Sequence, residues 1–371
     1  MWKAINSMIR NNDINIAPYE VIRDGYQYKF DANENIFDFD DNNREQIKKI
    51  IDEFEFRRYP DCASKTVKSI LTTIHNDSSQ KNFLVGNGSD EILYYLFSLY
   101  RDKKIVLLDI DYAVYYHLAK LFNMQVIKVE LTKEMDIDEK WNIEIMKNEA
   151  DLVILSYPNN PLGKCMNHEQ IVQAIENNKN TFFVIDEAYY HFSGKTFEKD
   201  ISKWDNLAII RTFSKAFSMA SLRLGYIYSQ TQNIELLNKY KLPFNVTSLT
   251  QQIFVNVYQN LKDGLEKQVL FTKNEKERVM QIIAEKYDWL KIYTTETNFL
   301  FCKCTNVDFK EFQQILLQNS LHVSCNYANK RVESCFRYSL GKKEENDFFL
   351  EILEKFNTIK SKYLTLKSLL N

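Results

Sequence analysis

The chain has 371 residues, of which 48 are basic and 50 acidic, so that its formal net charge is only -2. This length exceeds the roughly 250–300 residues at which a single core stops growing, and it predicts two packed lobes. The balanced charge and the lack of a block of like charges argue against a nucleic-acid partner. No run of roughly 18 apolar residues and no signal-peptide core occurs, which predicts a cytoplasmic protein without a membrane partner.

The cysteines and histidines give no sign of a metal site. The six cysteines are dispersed without a CxxC pair, and none of the five histidines has motif spacing to a partner. We therefore expect reduced thiols, no disulfide and no bound metal.

Short apolar runs alternate with amphipathic stretches between about residues 80 and 230. This alternation is typical of βαβ units, which form a parallel sheet covered on both faces by helices. The predicted strands are residues 105–108, 126–129, 152–155, 182–185, 208–211 and 224–228. The predicted helices between them are residues 89–101, 112–123 and 167–177.

The last third of the chain has a different pattern. Residues 246–288 remain helical, and beyond them NFLFCK, LHVSC and CFRYSL predict strands, with helices at 308–319 and 343–368. We therefore predict three parts. They are an amino-terminal segment at 1–38 that joins the small lobe, a large α/β domain at 39–270, and a small α+β domain at 271–371.

Polar motifs follow three successive predicted strands, at the sheet edge where open α/β sheets bind ligands. They are YPNNPLG from Tyr157, Asp186 with Tyr189, and Ser214 followed by Lys215. Alone, each has an ordinary explanation as a turn, a helix cap or a chance dipeptide. A buried lysine, however, is costly unless it is neutralised or chemically used. Together, the three motifs predict a catalytic site.

With these motifs, the chain resembles fold-type I pyridoxal phosphate (PLP) enzymes of the class I and II aminotransferase superfamily. It is most similar to the histidinol-phosphate aminotransferase branch. The resemblance implies a mostly parallel seven-stranded sheet between helices, a small α+β domain, PLP as cofactor and a homodimer. The similar segments are DANEN (31–35), RRYPD (57–61), GNGSDE (86–91), DYAVY (111–115), YPNNPLG (157–163), DEAYY (186–190), TFSKAFSMASLRLGY (212–226), NFLF (298–301) and FRYSLG (336–341).

The resemblance implies catalytic roles for Lys215, Asp186 and Tyr112. Lys215 would form the Schiff base with PLP, which requires a lysine that can lose its proton. Asp186 would keep the pyridine nitrogen protonated, so that the ring acts as an electron sink. Tyr112 would stack on that ring. Asn160 and Tyr189 would hydrogen-bond its phenolic oxygen.

The phosphate of PLP requires an anion site. FLVGNGSDE predicts a strand, a tight glycine turn and a helix start, whose free N–H groups and dipole attract an anion. The resemblance adds Tyr59, contributed by the neighbouring subunit of the dimer. The other predicted residues around the phosphate are Gly88, Ser89, Asp90, Thr212, Ser214 and Arg223.

The resemblance also implies a substrate site. Arg337 would grip a carboxylate or phosphate through a bidentate fork, and Tyr19, Asn33 and Glu34 would line the same mouth. Two positions depart from the histidinol-phosphate branch, which carries a further arginine where this chain has Ser324 or Cys325. That branch also has a glycine at the place of Ser221. Arg331 could substitute for the arginine, although its spacing differs. These departures argue against histidinol phosphate itself.

We predict a PLP-dependent aminotransferase that moves an amino group from glutamate to a small, phosphorylated carbonyl compound. The main alternative is a PLP-dependent decarboxylase of a phosphorylated amino acid, such as threonine phosphate or serine phosphate. A remote one is an NAD-dependent oxidoreductase, because GNGSDE followed by Asp109 mimics a dinucleotide-binding turn, although Glu91 stands where its third glycine should be. A non-catalytic scaffold or regulator on the same fold would not require Lys215.

Overall fold

The computed structural model describes residues 25–325 and 327–369 of the chain. Its strands are β1 (Tyr28–Phe30), β2 (Phe83–Asn87), β3 (Lys104–Leu108), β4 (Gln125–Val129), β5 (Leu152–Ser156), β6 (Phe182–Asp186), β7 (Leu207–Thr212), β8 (Leu224–Ser229), β9 (Leu290–Tyr293), β10 (Phe299–Cys304), β11 (Leu321–Val323) and β12 (Cys335–Ser339). Its α-helices are α1 (Asp41–Asp52), α2 (Lys65–Ile74), α3 (Ser89–Leu99), α4 (Ala113–Leu121), α5 (Glu139–Asn148), α6 (His168–Asn177), α7 (Tyr190–Ser193), α8 (Thr231–Asn238), α9 (Ser248–Lys286), α10 (Phe309–Gln318) and α11 (Lys343–Leu369).

A seven-stranded sheet in the order β2-β8-β7-β6-β5-β3-β4 forms the centre of the molecule. Strands β3 to β7 are parallel, and β8 runs antiparallel to both of its neighbours. Ile105 and Leu107 face one hydrophobic core while Val106 and Leu108 face another, because helices cover both faces of the sheet. The mostly parallel sheet predicted from the sequence is confirmed, and each of its six predicted strands forms within one residue of its predicted ends.

The carboxyl-terminal part forms smaller sheets around a separate core. Strands β12, β10 and β9 form an antiparallel sheet, and β1 pairs in parallel with β11. Trp289, Phe312 and Phe336 are fully buried in this core. Helix α9 has 39 residues and continues without a break across the predicted domain boundary between residues 270 and 271. The domain limits proposed above stay predictions.

The order of the strands in the sheet determines where the candidate site lies. The chain turns from β4 on one side of β3 to β5 on the other, which opens a crevice at the carboxyl ends of these strands. The loops after β3, β5, β6 and β7 all reach this edge of the sheet. None of the described helices combines the length and apolar character needed to cross a bilayer.

Candidate active site

A cavity of about 1110 Å³ lies at this edge, between the central sheet and the smaller lobe. It brings together most of the residues predicted from the sequence. Those lining it are Asn33, Glu34, Ser89, Asp90, Tyr112, Asn160, Asp186, Tyr189, Thr212, Ser214, Lys215, Arg223 and Arg337.

Lys215 lies in the loop after β7, and its ammonium group points into the cavity wall. Its Nζ donates a hydrogen bond to the main-chain oxygen of Ala32 at 2.7 Å. Burial, with a further contribution from the positive charge of Arg337, lowers the pKa of Lys215 to about 8. A sizeable fraction of the amine is therefore neutral near physiological pH, which a nucleophile or base requires.

Asp186 ends β6 and is almost completely buried. Its Oδ2 accepts a hydrogen bond from the Tyr115 hydroxyl at 2.8 Å, and its Oδ1 accepts one from the Ala188 N–H at 3.1 Å. Burial raises the pKa of Asp186 to about 6, against the lowering effect of Tyr115. The carboxylate is thus held rigidly in a place that a cationic partner would stabilise. Tyr115 had no role in the sequence prediction, although it lies in the DYAVY segment.

The turn between β2 and α3 forms an anion cradle. Gly88 has a φ of 79°, and a Cβ atom there would lie 2.5 Å from Nη2 of Arg223. A Cβ atom on Gly225 would lie 2.6 Å from the main-chain nitrogen of Ser89. Both glycines are therefore required for the close approach of Arg223 and β8 to the start of α3, where free N–H groups favour negative charge.

Hydroxyl groups and one ion pair complete this cradle. The Thr212 hydroxyl donates to Ser214 Oγ at 3.0 Å, and Arg223 Nη1 donates to the same oxygen at 3.4 Å. Nη2 of Arg223 lies 3.1 Å from Oδ2 of Asp90. The cradle thus presents a guanidinium group and two hydroxyls beside the N-terminus of α3.

Two tyrosines and an asparagine form the wall between Asp186 and the smaller lobe. Tyr112 caps α4, and its hydroxyl donates to Asp90 Oδ1 at 3.4 Å. Asn160 accepts a hydrogen bond from Arg337 through Oδ1. The Tyr189 hydroxyl accepts a hydrogen bond from Asn33 Nδ2 at 2.7 Å.

Asp111 is a site residue to which the sequence prediction assigned no role. Its carboxylate accepts the N–H groups of Tyr112 at 2.8 Å and Ser156 at 3.3 Å, and it also contacts the Ser156 hydroxyl. Ser156 Oγ in turn accepts the Asn160 N–H at 2.9 Å. Burial raises the pKa of Asp111 to about 8. The carboxylate therefore fixes Tyr112 and Asn160 relative to each other.

Comparison with known proteins identifies the family of this chain. Residues 26–353 match the family model of aminotransferase class I and II. The chain belongs to this family. It is 31% identical to the histidinol-phosphate aminotransferase of Pyrococcus furiosus over 94% of this chain and 98% of that protein. The histidinol-phosphate aminotransferase of Caldanaerobacter subterraneus is also 31% identical, over 95% of this chain and 99% of that protein.

Solved structures share the fold. The histidinol-phosphate aminotransferase of Clostridium acetobutylicum gives a TM-score of 0.80 at 24% identity, covering 89% of this chain and 99% of that one. The L-threonine-O-3-phosphate decarboxylase of Porphyromonas gingivalis gives 0.74 at 19% identity, covering 89% and 99%. The prediction of a PLP-dependent aminotransferase of fold type I is confirmed.

The cavity of this aminotransferase fits its cofactor, pyridoxal phosphate. Lys215 supplies an amine with a lowered pKa, and Asp186 supplies a buried carboxylate that has no cationic partner among the residues that the structure describes. Gly88 leaves open a cradle that a Cβ atom would close, beside Arg223. An aldehyde, a ring nitrogen and a phosphate are the three groups that such a set of residues would bind.

Arg331 does not take the place of the arginine expected near Ser324. Its guanidinium donates to the main-chain oxygens of Leu131, at 2.7 Å, and Thr132, and it lies 3.4 Å from Asp109 Oδ2. Arg331 therefore ties the smaller lobe to the loops after β3 and β4. Asp109 is held in the same contact, which leaves no role for it in the dinucleotide site considered above.

Ser324 lies beside Arg337 in the wall of the cavity. The two residues exchange main-chain hydrogen bonds of 3.1 and 2.7 Å. The guanidinium of Arg337 also donates to the main-chain oxygen of Asp31 and lies over the ring of Phe299 at 5.4 Å. Arg337 is thus held in a fixed orientation in the cavity wall, and Ser324 adds no charge next to it.

The remaining predicted residues are placed differently. Tyr59 is 81% exposed, stacks on Phe244 at 4.6 Å and does not line the cavity of its own chain. Asn33 is buried and accepts a hydrogen bond from the Ser339 hydroxyl at 2.8 Å, in addition to its contact with Tyr189. Tyr19 lies outside the described residues. Asn33 thus acts on the site through Tyr189.

Proposed function

We propose that this enzyme is a cytoplasmic homodimer that transfers the amino group of glutamate to a small, phosphorylated carbonyl compound. The observation that carries this proposal is the position of Lys215, Asp186 and Arg337 around one cavity. An amine with a pKa of about 8, a fixed carboxylate and a fixed guanidinium match the needs of amino-group exchange on an amino acid. The relatives named histidinol-phosphate aminotransferase support a phosphorylated substrate.

Each chemical requirement of the reaction has a residue. Bound PLP supplies an electron sink for the electrons left at the substrate carbon when its proton departs. Lys215 Nζ would bond to the cofactor at rest and, once displaced by the amino donor, remove the proton from the α-carbon. Asp186 would hold the proton on the pyridine nitrogen, with Tyr115 fixing the carboxylate. Tyr112 would stack on the ring.

The other predicted residues hold or align the reactants. Asn160 and Tyr189 would donate hydrogen bonds to the phenolic oxygen of the ring. Arg337 would bind the carboxylate of the amino donor. Asn33, Glu34 and Tyr19 would line the mouth of the same substrate site, as the family resemblance implies. The residues proposed to surround the cofactor phosphate are Gly88, Ser89, Asp90, Thr212, Ser214 and Arg223.

Exposed apolar side chains support the dimer. Phe56 is 74% exposed, Leu242 62% and Tyr59 81%, and Tyr59 stacks on Phe244. Large exposed apolar groups are typical of interfaces between subunits. Since Tyr59 does not line the cavity of its own chain, it would reach the cofactor phosphate of the second copy. Sedimentation analysis of the PLP-loaded protein would give the mass of the dimer. Tyr59→Phe would weaken the binding of PLP and leave the dimer intact.

The test of the reaction follows the cofactor spectrum of the purified, PLP-loaded enzyme. Adding L-glutamate without an acceptor should abolish the visible band and release one 2-oxoglutarate per site. Small phosphorylated ketones or aldehydes should then restore the band, and the same carbonyl compounds without phosphate should do so poorly. D-glutamate serves as the control. An unchanged band with L-glutamate, together with release of carbon dioxide from a phosphorylated amino acid, would establish a decarboxylase instead.

A further inference from the structure

The end of the cavity farthest from the central sheet is formed by the paired strands β1 and β11. Lys29 lies directly opposite His322 in this parallel pair. Phe30 and Val323 face the hydrophobic core of the smaller lobe. Because side chains alternate along a strand, Lys29 and His322 share the opposite face. Asp31 follows β1 directly and contacts both, and all three residues line the cavity. We call this group the far-end cluster.

Asp31 joins the two basic side chains of the far-end cluster. Its Oδ2 lies 3.2 Å from Nδ1 of His322, and its Oδ1 lies 3.8 Å from Nζ of Lys29. The distance to Lys29 is longer than a hydrogen bond. One carboxylate therefore faces two basic groups, so that an incoming anion meets a surface that is neutral or positive.

The polar groups on this wall are incompletely satisfied. Oδ1 of Asp31 and Nε of Arg337 are buried, and neither has a hydrogen-bond partner within the described part of the chain. Buried polar atoms are nearly always paired in folded proteins, so two such atoms on one cavity wall indicate that a polar ligand completes the site. Oδ1 of Asp31 needs a hydrogen-bond donor, and Nε of Arg337 needs an acceptor.

The distances along β1 limit the length of that ligand. Lys215 contacts the main-chain oxygen of Ala32, and Lys29 precedes Ala32 by three residues. Three residues span at most roughly 10 Å, and the bend at Asp31 and Ala32 shortens this distance. This separation suits a compound of a few carbon atoms whose reactive carbonyl is at one end and whose charged group is at the other.

We propose that the far-end cluster recognises the phosphate of the acceptor through Lys29 and His322, and a neighbouring hydroxyl group through Asp31. The inference rests on the proposed amino transfer and names the substrate class as short, phosphorylated hydroxy-carbonyl compounds. It assigns the phosphate to these residues in place of Arg331, which is bound to the other lobe, and of Ser324, which is uncharged.

The test compares acceptors with and without phosphate in steady-state assays of the PLP-loaded enzyme. Lys29→Met should lower kcat/KM for a phosphorylated hydroxyketone about 10- to 100-fold, by loss of a charge-assisted contact. It should change kcat/KM for the unphosphorylated compound less than about twofold. His322→Gln should act in the same direction. Inorganic phosphate should compete with the phosphorylated acceptor in the wild type and compete less in Lys29→Met.

Lys310→Met is the matched control. Lys310 is exposed on α10 in the same lobe and does not line the cavity, so its removal should leave both acceptors unaffected. Asp31→Asn tests the hydroxyl contact, because it should narrow the difference between a hydroxyketone phosphate and its deoxy analogue. Cofactor content and thermal unfolding identify any variant that fails to fold, in which case His322→Gln replaces Lys29→Met.

Two results would overturn the inference. Equal loss for phosphorylated and unphosphorylated acceptors in Lys29→Met and His322→Gln would show that the cluster only supports the fold. Unchanged kcat/KM for the phosphorylated acceptor would place its phosphate elsewhere. The proposed function fails separately, when wild-type enzyme does not convert L-glutamate in the absence of an acceptor.

Discussion

The two ends of the active-site cavity differ in how completely their polar groups are paired. At the cofactor end, both oxygens of Asp186 accept hydrogen bonds, and Arg223 is paired with Asp90. At the far end, Oδ1 of Asp31 and Nε of Arg337 have no partner among the described residues. The cofactor end is therefore preorganised for one group that stays bound. The far end is incomplete until a substrate arrives, which suits an enzyme that must admit two different substrates in turn.

The largest expected effect separates two lysines whose pKa burial lowers to about 8, Lys215 and Lys276. Lys215→Ala should reduce turnover by roughly 10³-fold or more, because the other lysine in the described wall, Lys29, belongs to the far-end cluster and is paired with Asp31. Initial rates with saturating glutamate and acceptor measure this loss. A rate near that of the wild type would remove Lys215 from the chemistry.

Lys276 supplies the control for this prediction. Burial lowers the pKa of Lys276 to about 8 as well, but its Nζ donates to the main-chain oxygens of Thr295 and Thr297 at 2.8 and 2.9 Å, outside the cavity. Lys276→Met should lower the free energy of unfolding by about 1–3 kcal/mol, since two buried acceptors lose their donor. It should leave the turnover of the folded enzyme intact.

A smaller loss is expected from Asp186→Asn. The amide oxygen can still accept the N–H of Ala188, and the amide NH2 can donate to the hydroxyl of Tyr115, but the amide lacks the charge that holds a proton on the ring nitrogen. We expect kcat to fall about 100-fold while the cofactor stays bound. Stopped-flow measurement gives the rate constant of the glutamate half-reaction, which should fall by the same factor and does not depend on the acceptor. If Asp186→Asn and the wild type reacted equally fast, the cofactor end would not depend on this charge.

The mildest prediction concerns pH. Because the folded chain lowers the pKa of Lys215 from that of a free lysine to about 8, its amine is mainly neutral above pH 8 and mainly charged below it. The rate at which cofactor-free enzyme bonds to added PLP should rise about tenfold per pH unit up to pH 8 and then level off. Non-covalent binding to Lys215→Ala corrects for other titrating groups. A bonding rate that continues to rise towards pH 10 would mean that the protein does not lower the pKa of Lys215.

The sequence predicted the cofactor end better than the far end, for physical reasons. Asp186 and Lys215 each follow a long apolar strand, and the ends of parallel strands must meet at one edge of the sheet. Strand β1 has three residues with only Phe30 buried, too few for a recognisable alternation. The contact of Asn33 with Tyr189 joins distant parts of the chain, so no local pattern indicates it.

The direction in which a side chain points was the other feature that the sequence predicted poorly. The sequence left Arg331 open as a substitute for the missing arginine despite its different spacing, whereas the fold turns it towards Leu131 and Asp109. Tyr115 and Asp111 stand on either side of Tyr112 in DYAVY, but their roles depend on Asp186 and Ser156, which come from other strands. Such residues can be predicted from a sequence only when the positions of the neighbouring strands in the sheet are already known.

The hydrogen bond from Lys215 to the main-chain oxygen of Ala32 has a consequence for how this enzyme can diverge. No change of side chain at position 32 deletes a carbonyl group, so point mutation there preserves this acceptor for the lysine. Inserting or deleting a residue between β1 and position 32 would instead shift every main-chain oxygen out of register. The length of this segment therefore matters more for this contact than its composition, and libraries made for new substrates should vary its side chains and keep its length.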